Sequence, residues 1–225
     1  IHAVLLRLKA SFGSSYRYSF GNLIGASPEL LVAINDGIIR SHPLAGTTAR
    51  TGDPATDARL ASELLASAKN QIEHRVVVDT VHDALLPFCS YLDWEAEPSV
   101  VAVANVQHLG TRVEGRLNRD TTAVELALLL SPTPALGGHP RETALELIAE
   151  HEGIDRGLYG GTIGWCDAQG NGTFAVTIRC AEFDDSRMRA RLFAGGGIVA
   201  DSEPLSELAE TQAKFQAMLS AIIRP

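Results

Sequence analysis

Cysteine is scarce and scattered. Among 225 residues there are three, Cys89, Cys166 and Cys180, and no CxxC pair. That excludes a disulfide framework or a cysteine zinc site, and leaves thiols expected to be reduced, mostly buried and cytosolic. No apolar run approaches the length of a membrane span, and no signal peptide is expected. The seven histidines show no zinc-ligand spacing, and Glu73-His74 is not part of an HExxH helix. A Walker loop is absent around Gly46-Thr47, and "GASPEL" lacks the GxSxG of a hydrolase elbow. Positive charge is the minority: 19 Lys and Arg stand against 27 Asp and Glu, a net charge of −8. This argues against nucleic acid or an anionic membrane as the main partner, and it means that an anionic ligand needs cations placed locally. No repeat, low-complexity tract or linker divides the sequence, so residues 1–225 are expected to form a single domain. The first residues are Ile1-His2-Ala3 rather than methionine, from which a removed or missing front segment is expected.

With 45% hydrophobic residues, the chain can bury a sizeable core. "HAVLLRLKASF" suggests a helix. "YRYSF", "NLIGA", "ELLVAIN" and "IIRSHPL" suggest strands, with Asp36-Gly37 as a hairpin turn. Asp57 to about Leu86 predicts one long helix with Leu60, Leu64, Ile72, Val76 and Val77 facing the core. "SVVAVANVQHL" and "TRVEGRL" suggest a strand pair. "TAVELALLL" and "RETALELIAEH" suggest helices, separated by the loop "SPTPALGGHP". "GGTIGWCD", "GTFAVTIRCAEF" and "MRARLFAGGGIV" suggest three strands, the last closed by Gly195–Gly197. A final helix is expected from about Ser202, as its N-cap, to Ile222. Strands in blocks, joined by hairpins and interrupted by helices, predict an α+β fold with antiparallel sheets.

The stretch "AGGGIVADSEPLSELAETQAKF" sets a glycine run beside a helix with Glu207, Glu210 and Lys214 on one face and Leu205, Leu208, Phe215, Leu219 and Ile222 on another. Glu210 and Lys214 could be an ordinary solvated i,i+4 pair. Alternatively, glycine backbone, helix acids and a lysine could together hold an anion and a metal. Lys69 and Glu73 are likewise a surface pair or part of a site. Gly46-Thr47 suggests a plain strand end, and Glu29 an exposed acid. Arg179 lies in an apolar strand and needs either a bound carboxylate or a structural ion pair.

The order of motifs along the chain is more specific. "GASPELL", "PLAGT", "EH", "QHLGT", "PTPALGG", "RGLYGGTIGW", "VTIRC" and "GGGIV" followed by "SEP" and the spaced Glu, Glu and Lys resemble the chorismate-utilising enzymes. These include isochorismate, salicylate and anthranilate synthases and aminodeoxychorismate synthase. The resemblance runs from about Gly25 to Lys214. It implies large antiparallel sheets flanked by helices and a Mg²⁺-dependent chorismate site. By this resemblance Glu29 is the general acid for the leaving C4 hydroxyl, and Glu73 and Glu210 hold Mg²⁺ with Glu207 close by. Gly46 and Thr47 lie near the same end. Tyr159, Arg179, Gly195 and Lys214 grip the other carboxylate and the enolpyruvyl arm, and His108 lines the ring. Ala135 stands where lyase-capable members carry threonine. Ala135 and Ile178 both resemble the siderophore-type isochorismate synthases, which implies isomerisation of chorismate without pyruvate release, in siderophore or menaquinone synthesis, in a cytoplasmic monomer. The runner-up implications are salicylate or anthranilate formation.

The chain also departs from the pattern. Ser131 replaces a histidine, and Asn70 replaces an acid three residues before Glu73. The general-base lysine of the family falls before Ile1, with the N-terminal part of the fold. Lys9 is too near Glu29 to substitute. The chain is therefore expected to be either the C-terminal portion of an active enzyme or a fragment that binds chorismate without turnover.

Overall fold

In the computed structural model, which describes residues 1–223, the strands form three antiparallel sheets that pass the chain from one to another. Helix α1 (His2–Ser11) leads into β1 (Tyr16–Phe20) and β2 (Leu23–Ser27). Pro28-Glu29 interrupts before β3 (Leu30–Asn35) and β4 (Ile38–His42), which are joined by Asp36 at φ 50° and Gly37 at φ 76°. Two positive φ values are what the Asp-Gly hairpin requires. Pro43 interrupts again before β5 (Leu44–Ala49). Helices α2 (Pro54–Ala66) and α3 (Ala68–Leu85) and a short 3₁₀ turn precede β6 (Cys89–Trp94), β7 (Ser99–Ala102), β8 (Val106–Gly110) and β9 (Val113–Leu117). Then come α4 (Ala123–Leu130), the four-residue α5 (Pro134–Gly137) and α6 (Arg141–His151). Strands β10 (Thr162–Cys166), β11 (Gly172–Val176), β12 (Cys180–Phe183) and β13 (Ala190–Phe193) lead to α7 (Pro204–Ile223).

The sheets have the orders β1-β2-β12-β13, β10-β11-β3-β4-β9-β6 and β5-β8-β7. Adjacent chain segments switch sheets together. β2–β3 and β11–β12 cross between the four-stranded and six-stranded sheets in opposite directions, and the crossings are tied: Val176 N–H donates to the Glu29 carbonyl (3.2 Å) and Ala26 N–H to the Arg179 carbonyl (3.1 Å). β4–β5 and β8–β9 cross likewise between the six- and three-stranded sheets, tied by Thr111 N–H to the Pro43 carbonyl (3.4 Å). Helices α3 and α4 seal the six-stranded sheet over Val32, Ile39, Val81, Leu85 and Leu126. Helices α1 and α7 seal the four-stranded sheet over Leu8, Ile24 and Met218. Each such side chain, fully buried, contributes about 1.5–3 kcal/mol. Helix α4 starts on a capping box, Thr122 with Glu125.

The architecture is the expected α+β arrangement, with corrections in detail. The long helix is two, because Ser67 takes an extended conformation (ψ 111°) and its hydroxyl accepts the Asn70 N–H to start α3. The buried face of α3 carries Glu73, His74, Val77, Val78 and Val81, while Ile72 is exposed. The "QHL" and "TRVEGRL" strands do not pair: β8 pairs β5 and β7, and β9 pairs β4 and β6. "GTFAVTIRCAEF" is not one strand but β11 and β12, broken where Arg179 adopts φ 51°. β6 was not foreseen. On α7 the buried residues are Glu207, Ala217, Met218 and Ala221, whereas Leu205 and Leu208 are exposed. Ser202 lies outside that helix, and its hydroxyl instead accepts the Val199 N–H.

Candidate functional site

The sheet crossings place polar side chains where strand side chains would otherwise fill a core. Glu29 follows Pro28 at the β2–β3 crossing and is 3% exposed, not the exposed acid its sequence setting suggested. Its Oε1 accepts only a long hydrogen bond from Leu44 N–H (3.5 Å). Burial pushes its carboxyl up to about 7, against the Leu44 hydrogen bond and the charges of Arg179 and Lys214. Near neutral pH it therefore carries a proton that it can give away.

Arg179 sits at the matching β11–β12 crossing, buried, in a left-handed conformation that costs a non-glycine residue about 1–3 kcal/mol. No carboxylate lies within salt-bridge distance of it among the described residues. Instead its Nη2 lies 2.9 Å from His108 Nε2. Arginine can only donate, so Nε2 is the acceptor and the proton of His108 sits on Nδ1. That nitrogen meets Thr47 Oγ1 (3.1 Å) and the Gly46 carbonyl (3.4 Å). Burial, then Arg179 and Lys214, hold the His108 pKa well below its ordinary value, so the imidazole is neutral. Burial also lowers Arg179 to about 10, which leaves it charged. The structure thus presents a cation with donor capacity to spare, fixed by a neutral histidine.

Gly46 is not a strand end. It lies inside β5 at a register shift against β8, with φ 74°. Its N–H donates to Glu73 Oε1 (3.3 Å), and a Cβ there would come within 3.1 Å of Asn70 Cβ. The run Gly195–Gly197 does not close a strand, since β13 ends at Phe193; it passes outside any strand beside the acids of α3 and α7. A Cβ on Gly196 would lie 3.3 Å from both Glu207 Oε2 and Glu210 Oε1, and one on Gly197 only 2.6 Å from Glu73 Oε1. Side chains there would fill the space beside these three carboxylates.

The pairs on α3 and α7 are not solvated surface pairs. Lys214 donates to Glu210 Oε1 (2.6 Å) and to the Gly195 carbonyl (2.9 Å), with only 11% of its side chain exposed. Lys69 donates to Glu73 Oε2 (3.4 Å) and to Glu207 Oε1 (2.8 Å). Burial raises the Glu73 pKa, opposed by Lys69. Burial works the same way on Glu207, yet the Lys69 hydrogen bond and charge hold that carboxyl below its ordinary value. Glu207 Oε2 is buried without a partner.

One cleft of about 550 Å³, counting the space open to solvent, gathers the predicted residues. Glu29, Gly46, Thr47, Glu73, His108, Ala135, Tyr159, Ile178, Arg179, Gly195 and Lys214 all line it. Glu207 and Glu210 stand just behind the lining, joined to it through Lys69 and Lys214. The sequence matches the chorismate binding enzyme family over residues 1–223. The chain belongs to that family. It is 48% identical to the isochorismate synthase DhbC of Bacillus subtilis, over 89% of this chain and 50% of the relative. Among solved structures, the menaquinone-specific isochorismate synthase MenF of Escherichia coli is 31% identical with a TM-score of 0.85, over 98% of this chain and 51% of that one. Anthranilate synthase component I of Streptococcus pneumoniae is 32% identical with a TM-score of 0.80, over 96% of this chain and 48% of that one. The chain thus spans about half the length of these chorismate-binding relatives.

For the Mg²⁺ expected of a chorismate-binding enzyme, the donor chemistry fits. Glu73, Glu207 and Glu210 are hard oxygen donors, and Glu207 Oε2 lacks a partner. They are not drawn together tightly: among the described residues no three acidic, His or Cys side chains are close enough to hold a metal ion. Lys69 stands between two of them instead. Neither departure from the family pattern lines the cleft. Asn70 lies in the first turn of α3 and donates its side-chain amide to the hydroxyl of the N-cap Ser67 (2.8 Å), and Ser131 ends α4, its carbonyl accepting from Arg141 (2.6 Å). From the sequence, Lys69 and Glu73 could be a surface pair or part of a site. The contact that makes it part of the site comes from α7, which no spacing within α3 could reveal. Among the described residues no helix is long and apolar enough to cross a membrane.

Proposed function

We propose that this chain carries the chorismate site of an isochorismate synthase. The observation that supports it most is the pairing, in one cleft, of a buried carboxyl whose pKa burial raises to about 7 with two cations, Arg179 and Lys214. Glu29 is the proton donor, and Arg179 and Lys214 are the carboxylate grips. In the isomerisation a water oxygen bonds to C2 of the ring, the two double bonds shift, and the C4–O bond breaks. Glu29 gives its proton to the departing hydroxyl, which leaves as water. The proton lost by the attacking water goes to a base, which the family resemblance assigns to a lysine. Arg179, fixed by His108, which Thr47 holds in turn, and Lys214, fixed by Glu210 and the Gly195 carbonyl, orient a dianion that a protein of net charge −8 would otherwise repel. Glu73 and Glu210, with Glu207 near, would hold Mg²⁺, which when bound supplies a hard positive charge for a substrate carboxylate. Ala135, without a hydroxyl, suits isomerisation over pyruvate elimination.

The test is incubation of the protein with chorismate and Mg²⁺, with products separated by chromatography and binding followed by calorimetry. Isochorismate without pyruvate is the expected result. Salicylate, anthranilate or stoichiometric pyruvate would overturn the isomerase reading. Chorismate binding without any product would favour a ligand-holding role for this chain alone.

A further inference from the structure

The geometry points to Lys69 as a built-in substitute for the divalent cation: its ammonium holds Glu73 and Glu207 together in the metal-free protein and swings out when the metal binds. This rests on the magnesium reading above and adds to it a competitor within the chain. Lys69 is the cation that joins the two helices bearing the acids, at 3.4 Å from Glu73 on α3 and 2.8 Å from Glu207 on α7.

The two lysines of the cluster are not equivalent. Lys214 is anchored to a backbone carbonyl as well as to Glu210, with 11% of its side chain exposed. Lys69 makes only carboxylate contacts and is 21% exposed, so it has a way out to water. It also leaves Glu207 Oε2 buried and unsatisfied. A compact ammonium is a poor match for oxygens from two helices, which a dication would hold better.

Charge decides in the same direction. Three carboxylates against two ammonium groups leave the cluster one negative charge in excess. A dication entering with Lys69 in place turns that into a positive excess, whereas a dication that displaces Lys69 leaves the cluster neutral. Like charges a few ångströms apart in a buried site repel strongly, so the metal and the Lys69 ammonium exclude each other. The metal-free site is thereby kept from collapsing or splaying under carboxylate repulsion, and its metal affinity is reduced in return.

The test titrates MgCl₂ into the protein and its Lys69→Met and Lys69→Arg variants, read by thermal melting and by calorimetry without substrate. The metal-free Met variant is expected to melt below wild type, and its Mg²⁺ dissociation constant to tighten at least about tenfold, as expected on losing a competing unit charge. The Arg variant, which keeps the charge, should not tighten. Wild type that responds to Mg²⁺ while the Met variant binds no tighter would overturn the role of Lys69 and leave the metal reading standing. No Mg²⁺ response in wild type would overturn both. Should the Met variant fail to fold without metal, tightened binding by the Arg variant would still refute the proposal.

Discussion

Replacing Glu29 by glutamine keeps the shape of the side chain and removes its titration, which makes two effects separable. Wild-type Glu29 holds its proton to about pH 7 in the folded protein, against an ordinary value of 4.5. Between those values the folded state binds a proton that the unfolded chain has released. Stability therefore falls as pH rises from about 4.5 to about 7, and the full penalty is present above that. The penalty integrates to about 3 kcal/mol as an upper figure, at about 1.4 kcal/mol per pH unit. Glutamine has no such charge to bury, and its carbonyl can still accept the Leu44 N–H. Glu29→Gln is thus expected to be up to about 3 kcal/mol more stable than wild type at about pH 8, and nearly equal to it at about pH 4. Turnover should fall by about 10²–10⁴ for want of a proton donor. Wild-type turnover should itself decline about tenfold per pH unit above about 7. Urea unfolding at the two pH values, without ligand, and chromatographic assay of chorismate conversion measure both. A glutamine variant no more stable at high pH would refute the burial argument. One that retained its rate would refute the assignment of the acid.

Other changes probe the remaining parts of the site. Arg179→Met should weaken chorismate binding about 10²-fold by calorimetry while the protein melts no lower, because the arginine is a buried cation without a carboxylate partner. Gly46→Ala should cost about 1–2 kcal/mol in urea unfolding, since φ 74° is a left-handed conformation and the new Cβ would crowd Asn70. Glu210→Gln should abolish the Mg²⁺ dependence of turnover; unchanged dependence would move the metal elsewhere. Ala135→Thr should bring pyruvate release that a lactate dehydrogenase-coupled assay detects.

How far the sequence alone revealed this arrangement depended on whether the cause was local. The Asp36-Gly37 hairpin and the helix of "TAVELALLL" were legible because turn chemistry and helical pattern lie within a few residues. The motifs around Glu29, Arg179, Gly195 and Lys214 were legible through their order along the chain, and one cleft does gather them. What escaped was set at long range. "GTFAVTIRCAEF" is uniformly strand-like, and nothing in it shows that the chain changes sheet at Arg179. Periodicity put Leu205 and Leu208 on the packed face of the last helix, whereas the position buried near its start is Glu207, paired with Lys69 from another helix. An acid that faces the interior contradicts the apolar pattern that such prediction relies on.

That contradiction also bears on function. Glu29, Glu73, His108, Arg179 and Glu207 are all buried, and a fold that needed only stability would place apolar side chains there. Their mutual contacts do not complete their needs. Glu29 has one long hydrogen bond, Arg179 leans on a neutral histidine, and one oxygen of Glu207 has no partner. The deficits are complementary in sign and share one cleft at the sheet crossings: unpaired positive charge at Arg179, surplus negative charge on α3 and α7, and a proton between them on Glu29. A carboxylate would meet the need of the arginine and, on the reading proposed above, a divalent cation that of the glutamates, while the Glu29 proton is left for a leaving group to take. The cost in stability is then the preorganisation that makes the site ready for its substrate.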